Sequence, residues 1–311
     1  FPHGVSSFGV PVLGASGDAI AGDVYFVCSV AGASWIVGVN SPDYGEKEMP
    51  FNSIDYAIGK CTANNGDVIY VLPGHTETIS TAGGITADIA GIKIIGLGIG
   101  ALRPILTFSA TGASVVISAA NVEIRDIIGK PSIDSVTNPI HIQAADCDIN
   151  IEWQDTSALI EAVSAVLTTA AADRLNLRLK YIGFIAGDAC VRAVNLVGVD
   201  TARVDIDFYG KASTAIVGFT TTACHNIEIA GTFYNSGTTN LSKNVVDTIT
   251  GSTWSVDGFD AAAGAEFSGG SGNAIAVSDL SAIASDVSAI LVDTGTTLDA
   301  ALAVVDGYFD A

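Results

Sequence analysis

The chain is 311 residues long, 49% hydrophobic and 15% charged, and its 13 basic against 33 acidic residues leave a net charge of -20. Nucleic acid and anionic membranes repel so acidic a chain at long range, and it has no run of eighteen apolar residues to cross a bilayer. Neither nucleic acid nor membrane insertion is therefore expected.

The chain opens on Phe1 rather than Met, as a processed N-terminus would. Residues 1–48 carry little periodicity beyond 23–27 and 35–39, which read as two short strands in an extended anchoring arm. At 53–61, Ser53 is placed to cap a helix with Ile54, Ala57, Ile58 and Cys61 on one face, able to cover the open end of an apolar core.

Eight apolar dyads follow: Val68-Ile69, Ile92/Ile94, Val122/Ile124, Ile149/Ile151, Leu177/Leu179, Val204/Ile206, Ile227/Ile229 and Trp254/Val256. Their first members are 24, 30, 27, 28, 27, 23 and 27 residues apart, and a period in the twenties marks a solenoid. Most dyads alternate with polar residues, the period of a strand with one face buried. Turn-rich stretches separate them, and no long amphipathic helix intervenes. The expected fold is all-β: a right-handed single-stranded parallel β-helix spanning 49–266, with an N-terminal capping helix. An antiparallel sandwich would need Asn-Gly hairpins between strands, and the one Asn-Gly, Asn65-Gly66, precedes the first dyad.

Aligned on these dyads, Lys93, Glu123, Asn150, Arg178, Asp205 and Glu228 form one outward column, and Arg125, Glu152, Lys180 and Asp207 the next. Neighbouring rungs lie about 4.8 Å apart, so Asp205 and Glu228 are a weak candidate for a retaining-glycosidase pair of carboxylates. The alternating signs favour a charge ladder that sets register. The four histidines share no spacing, and His75 reads as a turn residue after Pro73-Gly74. The glycines at 96, 98 and 100 read as a turn, because no Lys-Ser/Thr follows to make a phosphate loop. Five scattered cysteines read as buried free thiols, and Trp153 and Trp254 as core. No cofactor or metal is expected.

After the glycine-rich linker at 267–272 the pattern turns helical. Leu280, Ile283, Val287 and Ile290, then Leu298, Leu302 and Val305, fall at spacings of three and four, which favours self-association, with a trimer expected. Residues 267–311 thus form a linker and an oligomerisation segment.

The stretch Pro-Phe-Asn-Ser-Ile-Asp-Tyr-Ala-Ile at 50–58, followed by Gly-Asp-Val-Ile-Tyr-Val-Leu-Pro-Gly at 66–74, resembles the opening of the pectate-lyase-like right-handed β-helix superfamily. The resemblance implies a helix-capped coil but no single function, since lyases, hydrolases, adhesins and phage spikes share this opening. The Trp-x-Asp-His segment of its pectate lyases and the Asp-Asp signature of its polygalacturonases are missing from this sequence. The tail, Asp-Thr-Gly-Thr-Thr-Leu-Asp-Ala-Ala-Leu at 293–302, resembles segments of tailed-bacteriophage structural proteins. Together these lead to the expectation of a non-enzymatic phage protein on the virion surface: a capsid decoration, head fibre or spike. It would be a stiff homotrimer anchored to capsid or tail proteins by the N-terminal arm, with a host-surface glycan as a further partner. Two alternatives stand beside it: a tailspike-type polysaccharide depolymerase, and a secreted adhesin or surface-layer protein.

Overall fold

The computed structural model describes residues 22–32, 35–186, 188–236 and 244–261, and the backbone of four outlying strands, Val5–Ser7, Val10–Val12, Ala265–Gly270 and Asn273–Ile275. The body is a parallel β-solenoid of about seven turns. A first sheet runs through Val68–Val71, Lys93–Gly96, Glu123–Pro131, Asp148–Gln154, Leu175–Ile182, Asp200–Gly210, His225–Asn235 and Trp254–Asp260. A second sheet of seven strands runs from Ile85–Ala87 to Val245–Asp247. The first two turns carry a third short strand, Thr76–Ile79 and then Ile105–Phe108. At the third turn Glu123–Pro131 absorbs it: residues 123–125 pair with Lys93–Gly96 and residues 128–131 with Ile105–Phe108. The join is a register shift after Arg125, where Asp126 takes a left-handed φ of 62°.

Stacking places like over like. One inward column reads Ile69, Ile94, Ile124, Ile149, Leu177, Val204, Ile229 and Val256. A second is aromatic beyond Gly129, with Trp153, Tyr181, Phe208 and Phe233 in successive turns. Each of these aromatics is at most 2% exposed. The columns correct the alignment expected from the dyads. Ile149 lies over Ile124, the second member of its dyad, and Val204 under Ile229, so the register moves by two residues at both places. A two-residue slip keeps every side chain on its face, so burial alone does not select against it. Val68, expected inward, is instead buried outside the coil with Ile95, under Val24, Tyr70 and Leu97.

The corners before the first-sheet strands explain how the ladder survives the turn. Gly91, Asn121, Asp146 and Arg174 all have positive φ, and each donates its N–H to a carbonyl one turn on, at Ala120, Ala145, Asp173 and Asp200. Gly, Asn and Asp tolerate this conformation. Arg174 does so while its guanidinium grips Asp146 with two 2.6 Å bonds.

At the N-terminal end Val24–Val27 pairs in parallel with Val68–Val71. Residues 35–39, expected as a strand, make one bridge, Gly32 to Trp35, and then irregular backbone bonds to 28, 48 and 50. The short helix Ile54–Ile58 buries Ile54, Ala57 and Ile58 in the same core as the coil. Ser53 stands at its N-cap without a side-chain cap bond. Its hydroxyl accepts from Asn40 at 2.9 Å, and Glu77 Oε2 takes the Ile54 N–H at 3.0 Å instead. All five cysteines are free, and four are buried. At the C-terminal end residues 265–270, of which 267–270 were expected in a linker, form a strand antiparallel to Trp254–Asp260, and Asn273–Ile275 reverses again. The expected helical segment, with Leu280, Ile283, Val287, Ile290, Leu298, Leu302 and Val305, lies outside the described residues.

The corrected register is testable at Gly231, which faces Ile206 with φ of 137° and whose missing Cβ would run into the Ile206 carbonyl oxygen. Gly231→Ala should cost about 2–4 kcal/mol in urea unfolding. Gly112→Ala, with nothing within 4 Å of its Cβ, should stay within about 0.5 kcal/mol. Equal stability of the two variants would refute the register.

Candidate functional site

The outward face of the first sheet holds the charged columns. The first reads Lys93, Glu123, Asp148, Asn176, Arg203 and Glu228. The second reads Arg125, Asn150, Arg178, Asp205, Ala230 and Asp257, and the third Glu152, Lys180, Asp207 and Thr232. The two-residue slip thus separates Asp205 from Glu228. Asp205 faces Ala230, and Glu228 faces Arg203, a residue the dyad alignment left out. Arg203 Nε lies 3.1 Å from Asp205 Oδ2, and its pKa is raised by that hydrogen bond and by the charges of Asp205 and Glu228.

Ion pairs continue along the face. Lys93 meets Glu123 at 2.9 Å and Arg125 meets the same carboxylate at 3.3 Å. Glu152 is 6% exposed between Arg103 at 2.8 Å and Lys180 at 3.5 Å. Burial pushes its pKa up, but the hydrogen bonds from Arg103 and Gln154 and the charges of Arg103 and Lys180 hold it below the usual range. Two shallow depressions lie on this face. One, of about 260 Å³, is lined by Asn150, Arg178, Lys180, Asp205 and Asp207. The other, of about 230 Å³, is lined by Arg203, Asp205, Glu228 and Asp257.

A second constellation, which no local pattern in the sequence marks, sits at the N-terminal end. His75, 0% exposed, accepts the Ser29 N–H on Nδ1 at 3.0 Å and contacts Glu77 Oε2 through Nε2 at 3.2 Å. Cys28, itself 0% exposed, lies close enough to the same ring to influence its proton affinity. Nucleophile, imidazole and carboxylate are the parts of a cysteine hydrolase triad. Burial opposes a thiolate here, while His75 and the Val30 amide draw the thiol's pKa down. An imidazolium, however, would turn a proton on Nδ1 against the Ser29 N–H, donor against donor. The neutral ring, with its proton on Nε2 toward Glu77, satisfies both Ser29 and Glu77. The arrangement staples three segments, 28–29, 54 and 75–77. Asp67 does likewise nearby, accepting from Asp23 N, Thr62 N and Asn65 Nδ2 at 2.6–2.7 Å.

A third group lies in the loops that join the first sheet to the second. Asp155 accepts from Trp153 Nε1 and the Tyr181 hydroxyl, both at 2.9 Å, which gives those buried aromatics their polar partners. Burial pushes its pKa up to about 6. Glu161 is 8% exposed and its Oε2 has no hydrogen-bond donor. Burial, then the charges of Asp134, Asp188 and Asp155, push it up to about 7. Among the described residues no group of three or more His, Cys, Asp or Glu side chains is placed to hold a metal ion. Compared with known protein families, curated proteins and solved structures, the chain gives no match.

Two measurements separate support from chemistry here. His75→Ala should lower stability by about 3 kcal/mol, because it strands the Ser29 N–H and opens a buried void; unchanged stability would remove the staple. Glu161, raised from 4.5 to about 7 on folding, leaves the folded state unpenalised below pH 4.5, and that state loses stability as pH rises through 7. Glu161→Gln should therefore leave Tm unchanged near pH 4 and raise it by several degrees at pH 8, in paired thermal melts.

Proposed function

We propose that this chain is the stiff body of a bacteriophage virion surface protein, a capsid decoration, head fibre or spike, assembled as a homotrimer. The observation that carries the reading is the in-register stack itself. Nine parallel strands of the first sheet, from Val24–Val27 to Trp254–Asp260, follow one another at about 4.8 Å and span about 38 Å. Ion pairs tie their outward face from turn to turn, and the apolar interior is continuous along the coil. Such a rod bears load along its axis and presents a long flank. The helix Ile54–Ile58 acts as the cap of the core, residues 1–48 anchor the rod to capsid or tail proteins, and residues 277–311 join three copies. No cofactor takes part.

A glycan-directed reading has one observation in its favour. Tyr209 and Tyr234 stack at 4.9 Å with an interplanar angle of 18°, and Tyr209 is 47% exposed beside the depression that holds Asp207. Exposed tyrosine faces suit sugar rings, so host-surface glycan remains a partner in this reading, and a depolymerase using Asp205 and Glu228 its enzymatic form. A secreted adhesin is the third.

Light scattering on the full chain should give three times the monomer mass, and removal of residues 277–311 should give monomers with unchanged β circular dichroism. A monomeric full chain at micromolar concentration defeats the trimer. Cleavage of capsular or lipopolysaccharide glycan that is lost in Asp205→Asn/Glu228→Gln, with Tm unchanged, would replace the structural reading with the depolymerase.

A further inference from the structure

An apolar corner stands uncovered where the later first-sheet strands end. Ile182, Tyr209 and Tyr234 form one outward column in successive turns, and Phe259 lies one strand further on, opposite Thr232. Tyr209 is 47% exposed and Phe259 41%. The loop after Ile182 adds Phe184 and Ile185, at 42% and 49%, and Ser236 Oγ holds that loop against the corner by donating to the Ile185 carbonyl at 2.8 Å. Contiguous apolar surface of this kind marks a place that something covers.

The course of the chain names the occupant. Asn273–Ile275 is antiparallel to Ala265–Gly270, itself antiparallel to Trp254–Asp260, so the chain leaves Ile275 running in the same direction as Trp254–Asp260. Ile275 pairs with Ser268, which pairs with Asp257, and two more residues bring the chain level with Phe259. Measured from Ile275, Phe259 lies two strand spacings, about 10 Å, across and two residues, about 7 Å, along, so about 12 Å separates them, and residues 276–279 reach about 14 Å when extended. Leu280, Ile283, Val287 and Ile290 follow at once, a stripe about 15 Å long on a helix. From Phe259 to Ile182 the corner crosses three strand spacings, about 14 Å.

We propose that residues 280–290 form a helix that lays Leu280, Ile283, Val287 and Ile290 on the Phe259–Tyr234–Tyr209–Ile182 corner of their own chain. Leu298, Leu302 and Val305 are then left to join copies. The inference rests on the helical reading of 277–311 but not on the number of copies. A tether of four residues holds the stripe at the corner at a high effective concentration, which favours a chain's own tail over that of a neighbour.

Hydrogen exchange on the full chain reads the contact directly. Amides of 280–290 should exchange at least tenfold more slowly than unstructured peptide. Tyr209→Ser/Tyr234→Ser should abolish that protection while the coil's amides keep theirs. Unprotected amides in the parent chain, or protection that survives the double substitution, overturns the proposal. Cross-linking of a mixture of ¹⁴N- and ¹⁵N-labelled protein decides whose tail it is. Links between 280–290 and the corner should fall within one isotope, and mixed-isotope links would assign the corner to a second copy and refute docking in the same chain. Light scattering on the same samples reports the copy number separately, so a failed trimer and a failed docking are told apart.

Discussion

In-register stacking of the backbone is the constraint on which everything else in this molecule depends. Each strand N–H and C=O must find its partner about 4.8 Å along the axis, so each residue sits over its counterpart in the next turn. The aliphatic column from Ile69 to Val256 and the aromatic column from Trp153 to Phe233 follow from that requirement, because only side chains of similar shape stack without voids. The corners are the vulnerable places, since a coil has to turn without dropping its ladder. The left-handed residues at 91, 121, 146 and 174 solve this by aiming an N–H along the axis while the chain reverses direction.

This constraint also separates what was legible in the sequence from what was not. The buried face was legible, because alternation has period two and the dyads show it. The register was not, because a shift by two residues preserves that face, and Val122/Ile124 and Ile227/Ile229 each offer two equivalent alignments. The cost fell on the site: Arg203 dropped out of the column and Asp205 was set against Glu228. Corner residues were partly legible, as Gly91, Asn121 and Asp146 tolerate a positive φ, whereas Arg174 gives no such sign. His75 read as a turn residue because Ser29, whose N–H it accepts, lies 46 residues before it, and its other partner, Glu77, is itself tied to the Ile54 amide of a separate helix. The glycine run at 267–272 read as a linker, yet residues 265–270 pair in a strand, since a sheet edge accepts any backbone that presents its N–H and C=O groups.

Both ends of the first sheet carry added strands, and they differ in kind. At the start Val24–Val27 extends the parallel ladder, with Asp67 and His75 bonding its flanking amides. At the finish two antiparallel strands follow the last parallel rung.

On the flanks, charge and chemistry are divided in a way that bears on function. Among the groups with shifted proton affinity, the His75 pair, Asp155 and Glu161 are buried in the corners and ends, where they hold loops and aromatics in place. The open face of the first sheet carries ion pairs, although the observed register also sets Glu123 against Asp148, and its aromatic edge carries Tyr209, Tyr234 and Phe259. Chains of net charge -20 repel one another everywhere that acid is unbalanced. Inside, buried carboxylates and an imidazole hold loops and aromatics in place, while the ion-paired face and its aromatic edge are what the solenoid turns to solvent.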